Sequence, residues 1–292
     1  MRLGGPESDN IEDRRGRGGG GRGGIAVGGL GGVAILLVCL FLGIDPSVLF
    51  SDGQSPAPAP TQREASREPG RDPGARNAAP QEDAGRRFIA QVLGETEQVW
   101  TTQFQAMGRQ YQAPVLVLFS GATQSGCGGA QAQMGPFYCP NDRKVYIDLD
   151  FMAQLQQQLA ARGDFAAAYI VAHEVGHHVQ NELGVLRRAE ELRRSNDANA
   201  VQVRVELQAD CFAGLWAKRA NDARQILESG DVEEGLSAAA AVGDDRLQRR
   251  AGGRVQPESF THGSSEQRVR WFRRGLDSGA LSACDTFANG RG

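Results

Sequence analysis

The sequence predicts an α+β fold: a mainly helical domain with a small β-sheet and an active-site helix, preceded by one transmembrane helix and a disordered linker. Three observations point there. Two short apolar runs, Pro114 to Phe119 and Lys144 to Asp148, have the length and composition of strands. A succession of helix-spaced apolar patterns follows them. Before residue 86 the Gly, Pro and charge distribution is unlike that of the remainder.

Residues 1–24 are polar and rich in Gly and Arg, with too little apolar surface to offset the entropy of ordering a backbone, so a disordered cytoplasmic tail is expected. Residues 25–44 carry no charge and include the continuously apolar Val33 to Leu42, and the whole uncharged run is long enough for a membrane-crossing helix. Arg14, Arg15, Arg17 and Arg22 precede this run while Asp45 and Asp52 follow it, so the N-terminus is expected in the cytoplasm of a single-pass protein of the bacterial cell membrane. A cleaved signal peptide is the competing reading. Either way the rest of the chain is exported.

In residues 45–86, Pro56, Pro58, Pro60, Pro69, Pro73 and Pro80 alternate with Ala, Arg and Glu, the composition of an extended linker. The folded domain is placed at 87–292. Phe88, Val92, Val99, Trp100, Phe104 and Met107 give it an opening amphipathic helix. Between the two strands lies a Gly-rich loop, and Lys144 to Asp148 reads equally as a sheet edge able to pair with an extended peptide or as an interior strand. Helices are expected over 151–161, 165–183, 201–219, 231–241 and 265–277. On the last, Val269, Phe272 and Leu276 form the apolar face, and Arg268, Arg270, Arg273 and Arg274 read as a solvated face.

The net charge of −3 and an aromatic content of 7% argue against a nucleic-acid partner. Cys39 falls in the apolar run, leaving Cys127, Cys139, Cys211 and Cys284 in the exported part, an even number that suggests two disulfides. Of the three possible pairings, Cys127–Cys139 with Cys211–Cys284 is preferred, because Cys127 and Cys139 flank one loop.

The chemistry concentrates at His173 and His177. Their i, i+4 spacing on a helix puts two imidazoles on one face, where they can share a metal ion, and Glu174 between them is suited to take a proton from water. Zinc requires a third protein ligand and keeps another position for water. A third His in the extended H-E-x-x-H-x-x-G-x-x-H pattern is excluded, because the positions three and six beyond His177 are Gln180 and Leu183. Glu206 is the candidate, on a helical stretch whose Ala209, Ala213 and Ala217 permit close helix approach; Glu190 and Glu191 are weaker alternatives. Asp210, on the same face, is placed to accept a hydrogen bond from the free ring nitrogen of a ligand histidine. Gly176 inside the helix fits a close backbone approach. His178 points away from the pair.

These residues, with Gly135 to Pro140, Lys144 to Asp148, Ala172 to Gln180, Glu206 to Gly214 and Thr261 to Phe272, resemble the bacterial neutral zinc metallopeptidase family over roughly residues 87–287, and the paired motifs are similar to the gluzincin arrangement. The resemblance implies a zincin-like domain that holds Zn²⁺ through His173, His177 and Glu206.

The expected activity is hydrolysis of peptide bonds in a peptide or protein substrate by a zinc-activated water, with Glu174 as general base. His262, in a Gly/Ser loop before the expected helix cap at Ser264, is a candidate donor to the developing oxyanion; Tyr138, Tyr146 and Tyr169 are rivals. The alternative is a catalytically silent, zinc-stabilised envelope scaffold. It would keep the ligands but have no need of Glu174.

Overall fold

The computed structural model describes residues 1–16, 79–158, 163–194 and 197–288. A four-stranded sheet has the order β1 (Ile11–Asp13), β2 (Val115–Phe119), β6 (Lys144–Asp148), β5 (Phe137–Cys139), with only β5 antiparallel to its neighbour. Strands β3 (Ala122–Ser125) and β4 (Gly128–Gln131) form a separate hairpin in the Gly-rich loop. The described α-helices are α1 (Ala79–Ala106), α2 (Leu149–Gln158), α3 (Phe165–Glu182), α4 (Val185–Arg193), α5 (Ala198–Arg224), α6 (Asp231–Ala241), α7 (Asp244–Arg250) and α8 (Ser265–Ser278).

Alternation along the strands assigns their two faces. Leu116, Leu118, Val145 and Ile147 join the main core with Trp100 and Phe104 of α1 and Phe212 and Trp216 of α5. Val117, Phe119, Tyr146 and Cys139 form a smaller cluster on the other face. Because β6 lies between β2 and β5, it is an interior strand, and β5 is the edge beside α3.

The first sixteen residues depart from the expected disorder of 1–24. Strand β1 pairs in parallel with β2, the Leu116 amide donates to Asn10 O at 2.8 Å, and the Ser8 amide donates to Ala90 O at 2.9 Å. Lys144 Nζ reaches Glu12 at 2.7 Å, and Ser8 Oγ and Asn10 Nδ2 both donate to Glu97. The segment's backbone crosses α1 at Gly94, where a Cβ would collide with the Pro6 carbonyl.

The expected transmembrane helix over 25–44 is not supported: among the described residues no helix is long and apolar enough to cross a membrane, and 25–44 lies outside them. The linker expectation for 45–86 lies largely outside the described residues as well, and α1 already begins at Ala79. At the other end of α1, Met107 falls beyond the helix and is exposed.

Candidate metal centre

Helices α3 and α5 cross where both are small. A Cβ added at Gly176 would come within 3.1 Å of the Ala209 carbonyl oxygen, so a glycine at 176 allows the approach that brings the α5 carboxylates to the α3 imidazoles. On the other side of α5, Gly214 and Gly275 allow α8 still closer, a Cβ at either position colliding with the opposite backbone. Ser264 caps α8, with its Oγ accepting from the Gln267 amide. Three helices thus meet around one polar interior.

His173 Nε2 lies 3.2 Å and His177 Nε2 3.5 Å from the same oxygen, Glu206 Oε2. The ligand atoms of these residues all lie within 4.8 Å of one another, and the group can hold a metal ion. Two imidazole nitrogens and a carboxylate oxygen suit zinc. The atoms facing away from this point are each engaged: His173 Nδ1 with Asp210 at 2.9 Å, His177 Nδ1 with Gln180 Oε1 at 2.9 Å, and Glu206 Oε1 with Gln202 Nε2 at 2.8 Å. The three remaining donor atoms converge.

Electrostatics favour a cation there. Burial works against charging His173, but its hydrogen bonds to Asp210 and Glu206 prevail and raise its pKa to about 9. Burial likewise opposes charge on His177, and Glu206 and Glu174 act to raise it. Burial alone would push Glu206 up, yet His177, His173 and His262 hold it well below the usual carboxylate range. Glu190, by contrast, is exposed and paired with Arg193 at 3.0 Å, away from this cluster.

Asp210 is fully buried. Its Oδ1 accepts from His173 Nδ1, from Tyr169 OH at 2.5 Å and from Arg268 Nη2 at 2.8 Å, while Oδ2 accepts from Arg268 Nε at 2.8 Å. A carboxylate only accepts, so His173 Nδ1 carries a proton, and Nε2, which contacts Glu206 Oε2, is the ring nitrogen available to a metal. The expectation of a solvated face fails for Arg268, which is 3% exposed. It shares a stripe of α8 with Phe272 and Gly275, both buried, and that spacing was the signal available in the sequence.

The rival tyrosines are all occupied: Tyr138 OH by His178 and Asn181, Tyr146 OH by Asp142, Tyr169 OH by Asp210. His178 is turned from the centre, its Nε2 donating to Gln112 O at 2.6 Å, and burial lowers its pKa to about 4. His262 is held differently. Asp244, at the start of α7 and 1% exposed, accepts from the backbone amides of Thr261, His262 and Gly263 at 2.7–3.0 Å, and its other oxygen lies 3.3 Å from His262 Nδ1. His262 is close enough for its charge to act on Glu206. Asp244 escapes sequence reasoning because its partners lie 17 to 19 positions away with no periodic relation to it.

Both disulfides form with the preferred pairing. Cys127 at the tip of the β3–β4 hairpin joins Cys139 of β5, and Cys211 of α5 joins Cys284, with Cα separations of 5.8 and 5.5 Å.

Comparison with known proteins extends the likeness to the N-terminal segment. The chain is 46% identical to the Escherichia coli "Uncharacterized protein YpfJ" over 291 residues, 96% of each chain. It is 47% identical to the Mycobacterium tuberculosis "Uncharacterized protein Rv2575" over 188 residues, covering 61% of this chain and 64% of that one. No solved structure matches it. The family model described as "Putative neutral zinc metallopeptidase" matches residues 1–287, beginning well before the 87–287 of the sequence-level resemblance, and the chain belongs to that family.

Proposed function

We propose that the protein is an exported zinc peptidase in which His173, His177 and Glu206 hold the metal, Glu174 is the general base and His262 stabilises the oxyanion. The observation carrying this reading is the convergence of the three ligand atoms beside a further carboxylate, Glu174, that metal binding does not need. Zinc in that position supplies Lewis acidity to a water molecule and to the scissile carbonyl. Glu174 accepts the proton as the water oxygen bonds to the carbonyl carbon, and delivers it to the amine nitrogen as the C–N bond breaks. His262, aligned by Asp244, donates a hydrogen bond to the carbonyl oxygen as negative charge develops there. Asp210, braced by Arg268 and Tyr169, keeps His173 in the ligating tautomer. The two disulfides support an oxidising compartment outside the cytoplasm.

The test is cleavage of an unfolded protein such as reduced casein by the full chain and by Glu174→Gln, with zinc content measured on both. Retained zinc with activity lost only in the variant supports the reading. Equal cleavage by both removes Glu174 from its role, and zinc without cleavage by either favours the scaffold.

A further inference from the structure

His177 differs from His173 in what stands behind it. Asp210 can only accept a hydrogen bond, whereas the Gln180 amide can present either its oxygen or its nitrogen to a ring. What settles the amide lies further back. Gln180 is fully buried, and its Nε2 donates to Val205 O at 2.7 Å and to Gln208 Oε1 at 3.1 Å. Turned over, the amide would set oxygen against a carbonyl that cannot donate. Gln208, 6% exposed, is held in the same manner, its Nε2 donating to Cys284 O at 3.0 Å.

The polarity consequently runs one way. Cys284 O accepts from Gln208, Gln208 accepts from Gln180, and Gln180 accepts from His177 Nδ1, leaving His177 Nε2, 3.5 Å from Glu206 Oε2, as the ring nitrogen available to a metal. A buried donor or acceptor left unmatched anywhere along this line would cost about 1–3 kcal/mol, so the alternatives are suppressed together. The far end is fixed covalently, because Cys284 is fully buried and bonded to Cys211 on α5, the helix that also carries Gln208 and Glu206. Thr286 Oγ1 adds a hydrogen bond to Arg204 O at 2.8 Å.

We propose that Gln180 and Gln208 are positioning residues for metal capture, and that the Cys211–Cys284 crosslink anchors a hydrogen-bonded line that sets the tautomer and direction of His177. This rests on the zinc reading of His173, His177 and Glu206. The C-terminal segment is then a working part of the metal centre, and the buried crosslink differs in purpose from the hairpin crosslink Cys127–Cys139.

The experiment uses the full chain with Gln208→Met and Gln208→Glu, both close in size to glutamine, and a Cys127→Ser/Cys139→Ser variant as control. Zinc affinity is read by chelator competition, ligand geometry by the visible spectrum of the cobalt-substituted protein, and folding by the melting temperature of the metal-free form. Both Gln208 variants are expected to bind zinc about 10- to 100-fold more weakly, the usual consequence of losing a group that orients a ligand, and to show an altered cobalt spectrum. The control is expected to retain wild-type zinc affinity. Wild-type affinity and spectrum in Gln208→Met and Gln208→Glu would overturn the proposal, even with a lowered melting temperature. Failure of the wild-type chain to bind zinc would overturn the metal reading itself, a distinguishable result.

Discussion

Arg268 places Nε on one carboxylate oxygen of Asp210 and Nη2 on the other, each at 2.8 Å, with both side chains buried. The fork geometry matches a carboxylate in a way that a lysine cannot. It also neutralises the acid that orients His173. Arg268→Ala leaves that carboxylate buried and uncompensated, and a loss of about 3–5 kcal/mol is expected in chemical denaturation. Arg268→Lys should recover only part of it, with zinc affinity lowered in both variants.

The crossing at Gly176 gives a steric prediction. A methyl group there meets the Ala209 carbonyl oxygen at 3.1 Å, so the helices must part by a few tenths of an ångström or strain in place. Gly176→Ala is expected to destabilise by about 1–3 kcal/mol, outweighing the gain in helix propensity. Zinc affinity should fall as Glu206 is carried away from the imidazoles. A melting curve and a chelator titration of the same variant check both effects.

His262 and Asp244 should behave as a unit separate from metal binding. Loss of one oxyanion donor typically costs about 10²–10³ in kcat, and His262→Ala is expected in that range with full zinc content. Asp244→Ala should lower kcat to a similar extent and add little to His262→Ala when the two are combined. Steady-state kinetics on the four forms, with metal analysis, provides the cycle. Additive losses would show that the residues act independently.

The N-terminal strand supplies a prediction that leaves the metal centre untouched. A side chain at Gly94 collides with the Pro6 carbonyl, so Gly94→Ala should displace the segment running over α1. Hydrogen exchange is the direct measurement: the Leu116 and Arg14 amides, bonded to Asn10 O and Leu118 O, are expected to lose protection in the variant and keep it in the wild type.

Legibility in the sequence followed the range of the physical signal. His173, Glu174 and His177 lie within one helical turn, so spacing alone relates them. Glu206 was within reach because α5 announces its inward face through small residues, although it sits 33 positions from His173. Arg268 reads as solvated from its charge, whereas its position on the stripe of Phe272 and Gly275 buries it. Strand β1 is Ile11-Glu12-Asp13, with no apolar alternation; its stability comes from main-chain pairing and from Lys144 and Glu97, neither of which the local sequence reveals. In the sequence Gln180 serves only to exclude the extended histidine pattern, yet its hydrogen bond to His177 gives it a structural place of its own.

The central claim is that His173, His177 and Glu206 surround one zinc ion. X-ray absorption at the zinc edge, on purified full-length protein with one equivalent of metal, tests it most directly. The account predicts a first shell of light atoms only, with outer-shell scattering from two imidazoles, and loss of the metal in His177→Ala and Glu206→Ala. Sulfur in the first shell, a single imidazole, or an unchanged spectrum in either variant would contradict it.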